Sequence, residues 1–338
     1  MRFAGIDPGT ASYEIFILEN EKPFKKIEVS TAEVRENPEK FREILAKIEA
    51  DLIAGLSGYG MPIRRFSELT EKDVFLLTLN TDPKATMGMR MLIEIAKELD
   101  LNIYTIPGVI HLPTVPEYRK INRIDLGTAD KLCSAILGIK QLNESPNFLL
   151  VESGFGFNAF IAVRNGKIVD GLGGSSSFPA FSSLGAIDGE LAYLLKPFPK
   201  EMLFSGGIRS YFKDKGMSIR KISDLPLEAL QWFAEYLMKG IRAVEVSCKV
   251  ERILLSGKNF SYAEFTKIFR EMAEDFGYEC ERLKGFGIAK QSAEGAAVIA
   301  NGLGGGKFKE IIEKAEILNA RGTVLDYITS DIRKYLRI

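Results

Sequence analysis

The chain has 338 residues, 46% of them hydrophobic, which is enough for about two domains with cores of their own. Its 45 lysines and arginines balance 45 aspartates and glutamates. That balance excludes a general nucleic-acid or anionic-membrane binder, because neutralising phosphates needs clustered positive charge. Three widely spaced cysteines and one histidine leave little material for a zinc site.

The start Met1-Arg2-Phe3-Ala-Gly-Ile-Asp7 lacks the features of a signal peptide, and no apolar run is long enough to span a bilayer. The cytoplasm is the expected compartment. Runs at 2–7, 13–18 and 24–29 predict three antiparallel strands joined by tight turns. Asn37-Pro38-Glu39 reads as an N-cap with proline at the first helical position, and Phe41, Ile44, Leu45 and Ile48 follow at helical spacing. Residues 51–56 and 74–79 read as buried strands, 86–99 as a helix and 102–106 as a strand ended by Pro107-Gly108. A short helix is expected over 128–137.

The polar stretch from Gln141 to Asn147 marks a boundary, after which the pattern starts over: apolar run, glycine-rich turn, apolar run, turn, apolar run. Residues 172–185, rich in Gly and Ser between structured segments, are expected to form an ordered functional loop. Leu227, Leu230, Phe233, Leu237, Ile241, Val244 and Cys248 trace one face of a long helix. Strands at 251–255 and 278–283 flank a helix over 261–276, and 288–303 reads as a helix with alanine and glycine in place of large apolar residues. Helical segments at 308–318 and 323–336 close the chain. The expected domains are 1–140 and 147–304, with the helices of 305–338 packing back on them.

Placing residue 7 on residue 152 aligns the two starts without gaps. Asp7 falls on Glu152 and Gly9 on Gly154, and the apolar run at 15–18 falls on that at 160–163. The repeated unit is an acidic, glycine-rich turn between two strands. Such a turn exposes backbone N–H groups that cradle phosphate oxygens, and the carboxylate holds Mg²⁺ through water. Asp and Gly also form ordinary β-turns; the recurrence at matching positions favours the phosphate reading.

Phe3-Ala-Gly-Ile-Asp-Pro-Gly-Thr-Ala-Ser12 resembles the first phosphate motif of the superfamily that contains actin, hexokinase, the heat-shock chaperone ATPases and acetate kinase. Phe148-Leu-Leu-Val-Glu-Ser-Gly-Phe-Gly156 sits where its second phosphate motif belongs, and Arg252-Ile-Leu-Leu-Ser-Gly-Lys-Asn259 resembles its adenosine motif. The segment 122–131 and the helix after it resemble the first connecting element, and 287–303 the second. More narrowly, Ser57-Gly-Tyr-Gly-Met-Pro62, Asn122-Arg-Ile-Asp-Leu-Gly-Thr-Ala-Asp-Lys131 and Gly185-Ala-Ile-Asp-Gly-Glu-Leu-Ala-Tyr193 are similar to an archaeal family labelled predicted butyrate kinases. Four departures stand beside these matches. Glu152 replaces the usual Asp, and Phe155 a hydroxyl-bearing residue. The histidine-containing segment of acetate and butyrate kinases is missing. The adenosine turn reads Ser-Gly-Lys rather than Ser-Gly-Gly.

The resemblance implies an α/β actin-like ATPase fold, two ribonuclease H-like domains with a nucleotide cleft between them, using ATP and Mg²⁺. Asp7 and Glu152 become the catalytic and metal-organising carboxylates. Gly9, Thr10 and Ser12, together with Ser153, Gly154 and Gly156, become the phosphate cradles, and Ser256, Gly257 and Lys258 the nucleotide turn. Lys258 reads equally well as an exposed strand-end lysine. Asp125 and Asp130 are either site carboxylates or acids favoured at a helix start. Arg123 either clamps a substrate carboxylate or phosphate or pairs with Asp125. Asp188 is a helix N-terminal residue first and a base candidate second. Tyr59 and Arg64 lie in a loop after a buried strand, where α/β sheets place substrate. His111 reads as a structural residue and Cys248 as part of a helical apolar face. The expected activity is ATP-dependent phosphorylation of a small metabolite, a carboxylate among the candidates. The alternative is an ATP-binding regulatory or scaffold protein of the same fold. Partners are a small-molecule substrate, with neither nucleic acid nor membrane, and a homodimer is left open.

Overall fold

The structure, a computed structural model, describes residues 1–9, 12–55, 58–80, 82–143, 146–195 and 197–336. Its contacts divide the chain into two compact units, one of 1–124, 128–144 and 284–338, the other of 125–127 and 145–283.

In the first unit, β1 (Arg2–Pro8), β2 (Ser12–Glu19), β3 (Lys22–Ser30), β4 (Leu52–Gly55) and β5 (Ile103–Tyr104) form one sheet in the order β3-β2-β1-β4-β5. The first three strands pair antiparallel, whereas β4 and β5 join in parallel. β1 is central and buried on both faces, which is why its residues 3–6 are an unbroken small and apolar run. One face carries Ala4, Ile6, Ile15 and Ile17 into a core with Phe41, Leu45 and Leu92. The other receives helix Gln291–Leu303, whose residues from Ala293 to Gly302 are all buried. A Cβ on Gly5 would lie 2.1 Å from the Ala293 carbonyl oxygen, and one on Gly295 would lie 2.0 Å from that of Cys133 in helix Ala129–Leu142. Sheet and helices therefore touch backbone to backbone, and only small residues fit.

That packing moves a boundary. The sequence reading carried the second domain to residue 304, but 284–338 belongs to the first unit because helix Gln291–Leu303 lies on β1 and on helix Ala129–Leu142. The strand expected at 74–79 is instead a helix, Glu71–Thr78. A short apolar run does not distinguish strand from helix. Here Thr70 and Asp73 close a capping box at its start, and Leu79 turns left-handed (φ 46°) at its end. A helix at Thr31–Glu36 was not foreseen, and the closing segments shorten to helices Lys309–Lys314 and Ser330–Arg333.

The second unit repeats the plan with β6 (Phe148–Ser153), β7 (Asn158–Arg164), β8 (Lys167–Leu172), β9 (Arg252–Ser256) and β10 (Glu279–Arg282), in the order β10-β9-β6-β7-β8. The copy extends to register. Pro8 pairs with Tyr13 as Ser153 pairs with Asn158, and the shift between Ile17 and Leu18 recurs between Ala162 and Val163, the residues the repeat superposes. Its core stacks Phe233 of helix Leu227–Glu245 on Phe265 of helix Ala263–Asp275, with ring centroids 5.1 Å apart. Among the described residues no helix is long and apolar enough to cross a membrane.

His111 is structural, as its surroundings in sequence indicated. It lies in the single turn Val109–His111 at 1% exposure, with Nδ1 3.1 Å from the Gly108 amide. Burial pushes its imidazole down to about 4. Above the ordinary imidazole pKa both folded and unfolded chains are neutral there. As pH falls from about 6.5 toward about 4, the unfolded chain takes a proton that the folded one refuses, so stability is lost in that window. Unfolding free energy measured against pH should therefore fall by up to about 3 kcal/mol more in the wild type than in His111→Gln. Parallel curves for the two proteins would refute this placement.

Candidate functional site

Two hairpins carry the site residues, one in each unit. In the β1–β2 hairpin the Gly9 amide donates to the Ser12 carbonyl at 3.0 Å and closes the turn, and the Thr31 hydroxyl donates to the Gly9 carbonyl at 2.8 Å. Asp7 and Glu14 face each other in register across the two strands, and both are buried. Two carboxylates on neighbouring positions of one sheet face repel unless a cation stands with them. Lys290, the residue before helix Gln291–Leu303, supplies it: Nζ is 3.6 Å from Asp7 Oδ2 and 3.8 Å from Glu14 Oε1. The same ammonium donates to the Ser12 carbonyl at 2.9 Å and to Ser12 Oγ at 3.3 Å, and the Lys290 amide donates to Glu14 Oε2 at 2.8 Å. Lys26 approaches Glu14 from the other side at 3.5 Å while bonding Glu28 at 3.0 Å, and the Glu28 bond holds its ammonium above the ordinary lysine range.

Lys290 is placed by Glu294. That fully buried carboxylate accepts the amides of Phe286 (2.6 Å), Ile288 (2.8 Å) and Ala289 (2.9 Å), winding the loop before the helix around itself. Glu14 and Lys290 escaped the sequence reading. A lone Glu inside the apolar run of β2 was a signal for the first; the second is brought by the tertiary fold alone. Thr10 lies outside the described residues.

In the β6–β7 hairpin the Gly154 amide donates to the Phe157 carbonyl at 3.1 Å, matching Gly9. Ser153 Oγ donates to Asn158 Oδ1 at 2.8 Å, and Asn259 Nδ2 donates to Ser153 Oγ at 3.1 Å and to the Gly154 carbonyl at 2.6 Å. Asn259 was not singled out from sequence, although it closes the motif that was. Gly257 stands at φ 93°, and a Cβ there would lie 2.3 Å from the Ser153 carbonyl oxygen, so the Ser256-Gly257 turn presses directly on this hairpin. Glu152 is half-buried, in register with Ala159 and Ser256; where the first unit has Glu14, the second has Ala159. The Gly156 carbonyl accepts the Ser183 amide at 3.0 Å. Phe155 is 47% exposed, with the Arg209 guanidinium 5.2 Å over its ring. Lys258 is exposed.

The remaining candidates stand on other segments. Asp125 ties the segment 125–127 to the Gly-Ser loop: its carboxylate accepts the Gly127 amide at 3.1 Å, the Ser175 amide at 3.0 Å and Ser175 Oγ at 3.1 Å. A Cβ on Gly173 would lie 1.7 Å from Asp125 Oδ1. At Asp130 burial works to raise the carboxyl, but the Lys131 ammonium at 2.7 Å and the Thr128 hydroxyl outweigh it and hold the group below its usual range. Asp188 caps helix Gly189–Leu194, accepting the Glu190 amide at 2.9 Å and the Leu191 amide at 3.1 Å. Arg64 pairs with Asp73 at 2.9 Å. Tyr59 is half-buried, its amide bonded to the Leu77 carbonyl, and Arg123 is exposed.

The first hairpin's donors suit a hard divalent cation: two carboxylates and serine oxygens already gathered around an ammonium. Among the described residues no three His, Cys, Asp or Glu side chains cluster as a protein-only cage. Two shallow depressions, about 420 Å³ beside Arg252 and about 560 Å³ beside Arg2, open at the amino ends of the strands, away from both hairpin turns.

Solved structures share this fold. The chain is similar to a propionate kinase from Francisella tularensis, at 16% identity over 88% of this chain and 98% of that one, with a TM-score of 0.58. It is also similar to acetate kinase from Entamoeba histolytica (12% identity, 82% and 87% covered, TM-score 0.55). A ROK family glucokinase from Streptomyces griseus, solved with glucose and AMPPNP, matches at 11% identity over 89% and 99%, with a TM-score of 0.52. The α/β fold with two mixed sheets is thus shared with solved acetate, propionate and ROK family sugar kinases. In sequence, no curated protein matches the chain. A family described as "Protein of unknown function (DUF1464)" matches residues 5–330, and the chain belongs to it.

The place of Asp125 has a direct test. Asp125→Ala strips a buried acceptor from three donors and should destabilise the protein by about 3 kcal/mol. Limited proteolysis should then cut within 173–176, where the wild type resists. An unchanged melting temperature and cleavage pattern would show that the carboxylate does not hold this loop.

Proposed function

We propose that the chain is an ATP- and Mg²⁺-dependent phosphotransferase acting on a small metabolite, with carboxylates among the candidate acceptors. The observation that carries this reading is the duplicated hairpin: an acidic strand end and a glycine turn, repeated in register once in each unit. Two copies of one phosphate-facing turn suit a polyphosphate better than a single turn does. In this reading both units are ribonuclease H-like domains and share one nucleotide.

Phosphoryl transfer asks a protein for positioning and charge neutralisation rather than covalent chemistry. Mg-ATP, when bound, supplies the phosphoryl group and part of that neutralisation. Asp7 and Glu152 would hold Mg²⁺ through water, with Glu14 beside Asp7. The turn segments of Gly9, Thr10 and Ser12, and of Ser153, Gly154 and Gly156, would border the phosphates. Ser256, Gly257 and Lys258 border the nucleoside, with Gly257 admitting close approach because it has no side chain. Arg123 and Tyr59 are the acceptor-binding candidates, since the Arg64 guanidinium is engaged by Asp73. Asp125 and Asp188 act by holding the Gly-Ser loop and a helix start.

A second reading, a regulatory nucleotide binder that does not transfer phosphate, is favoured by Glu152 and by the exposed ring of Phe155 at the tip of the second hairpin. Mg-ADP at about 100 times its dissociation constant should stabilise the protein by about 2.7 kcal/mol. A flat thermal shift and flat calorimetry at millimolar nucleotide would end both readings. Coupled ADP release over a panel of small carboxylic acids and sugars separates them, and Asp7→Asn should abolish turnover in a folded protein. Glu152→Asp displaces a carboxylate by about an ångström and should slow a working kinase by about 10²-fold. A gain in that variant would favour the regulatory reading.

A further inference from the structure

We propose that Lys290 is a phosphate-binding residue held in reserve by Asp7 and Glu14, a tethered cation that leaves the two carboxylates to an arriving divalent metal and turns to the phosphate that comes with it. The inference rests on the nucleotide reading and adds to it the residue that couples metal to phosphate.

Three observations carry it. The ammonium stands 3.6 Å and 3.8 Å from the two carboxylates, beyond hydrogen-bond contact, so it neutralises them without being locked to either. Its short bonds go to Ser12, and it lies close over Gly9, where an added Cβ would sit 2.5 Å from Nζ. The cation therefore stands beside the glycine of the hairpin that the nucleotide reading assigns to phosphate. Finally, its backbone is fixed while its side chain is partly open to solvent. The Lys290 amide is bonded to Glu14, and the preceding loop is wound on Glu294, yet the side chain is 36% exposed.

The charges then dictate a sequence. With Lys290 in place, Asp7 and Glu14 are partly neutralised, and Lys26 at 3.5 Å from Glu14 adds to this, so a divalent cation alone meets a weak site. A divalent cation arriving with a polyphosphate repels the ammonium from the carboxylates and offers it phosphate oxygens within the sweep of a lysine side chain. Lysine suits the task because its ammonium is a compact charge with three rotatable donors on a flexible stem.

Lys290→Met should separate two affinities that a purely structural lysine would move together. Mn²⁺ binding without nucleotide, followed by electron paramagnetic resonance, should tighten at least about tenfold, because the competing ammonium is gone. Mg-ADP binding, followed by calorimetry, should weaken at least about tenfold, because a phosphate contact is lost. Lys290→Arg keeps the charge and should hold Mn²⁺ at wild-type affinity. Melting curves establish that each variant is folded, and Lys290→Gln replaces the Met variant if that one is not. Unchanged Mg-ADP affinity, or Mn²⁺ affinity that stays the same or falls, overturns the proposal. Wild-type protein that binds no Mg-ADP removes the nucleotide reading and this inference together; wild-type binding with an unaltered Lys290→Met removes the inference alone.

Discussion

The first unit depends on one close approach, that of helix Gln291–Leu303 to β1 and to helix Ala129–Leu142. Gly5, Ala293, Gly295 and Ala297 bring backbones to distances that a single added Cβ would forbid. Such contact buries little side-chain area per residue, but it fixes the helix axis closely because interiors tolerate few voids. The fixed axis aims the helix start at the β1–β2 turn. Lys290 and the loop wound on Glu294 arrive there for that reason, nearly 280 residues after the carboxylates they meet.

The two units share a plan and differ in electrostatics. Sheet order, register and even the strand irregularity recur, so the scaffold of each hairpin is the same. The first hairpin carries two buried carboxylates and a lysine. The second carries a single Glu152 beside Ala159, with a neutral Ser153–Asn158–Asn259 network beneath its turn. Charge is thus concentrated in one copy and hydrogen-bonding polarity in the other. Identical strands permit this because side chains on a sheet face are chosen pair by pair, with the backbone ladder unaffected.

The acids of the central segment serve the frame. Asp125 gathers the Gly-Ser loop through amides and a hydroxyl, Asp130 settles beside Thr128 and Lys131 at a helix start, and Asp188 caps another helix. Each follows from the short reach of an aspartate, which bonds nearby backbone more readily than it projects into solvent. The loop's glycines fit the same account: at Gly173 the Asp125 carboxylate occupies the space a side chain would need.

By itself the sequence determined the duplication. Apolar runs of strand length around acidic glycine turns, repeated without gaps, align Asp7 with Glu152 and Gly9 with Gly154 along the chain, and the two sheets follow from that local pattern. It also determined the long helices, whose apolar spacing is a property of consecutive residues. The run at 74–79 is helical through local features that its apolar pattern does not show, a capping box at its start and a left-handed Leu79 at its end. Only the tertiary structure decided the rest. Residues 284–303 joined the first unit because small residues gain contact only against a particular partner surface, which no window of sequence contains. Lys290 was invisible for the same reason: a lysine before an alanine-rich helix is unremarkable until the fold sets it between two buried carboxylates, where charge rather than chain order decides what it meets.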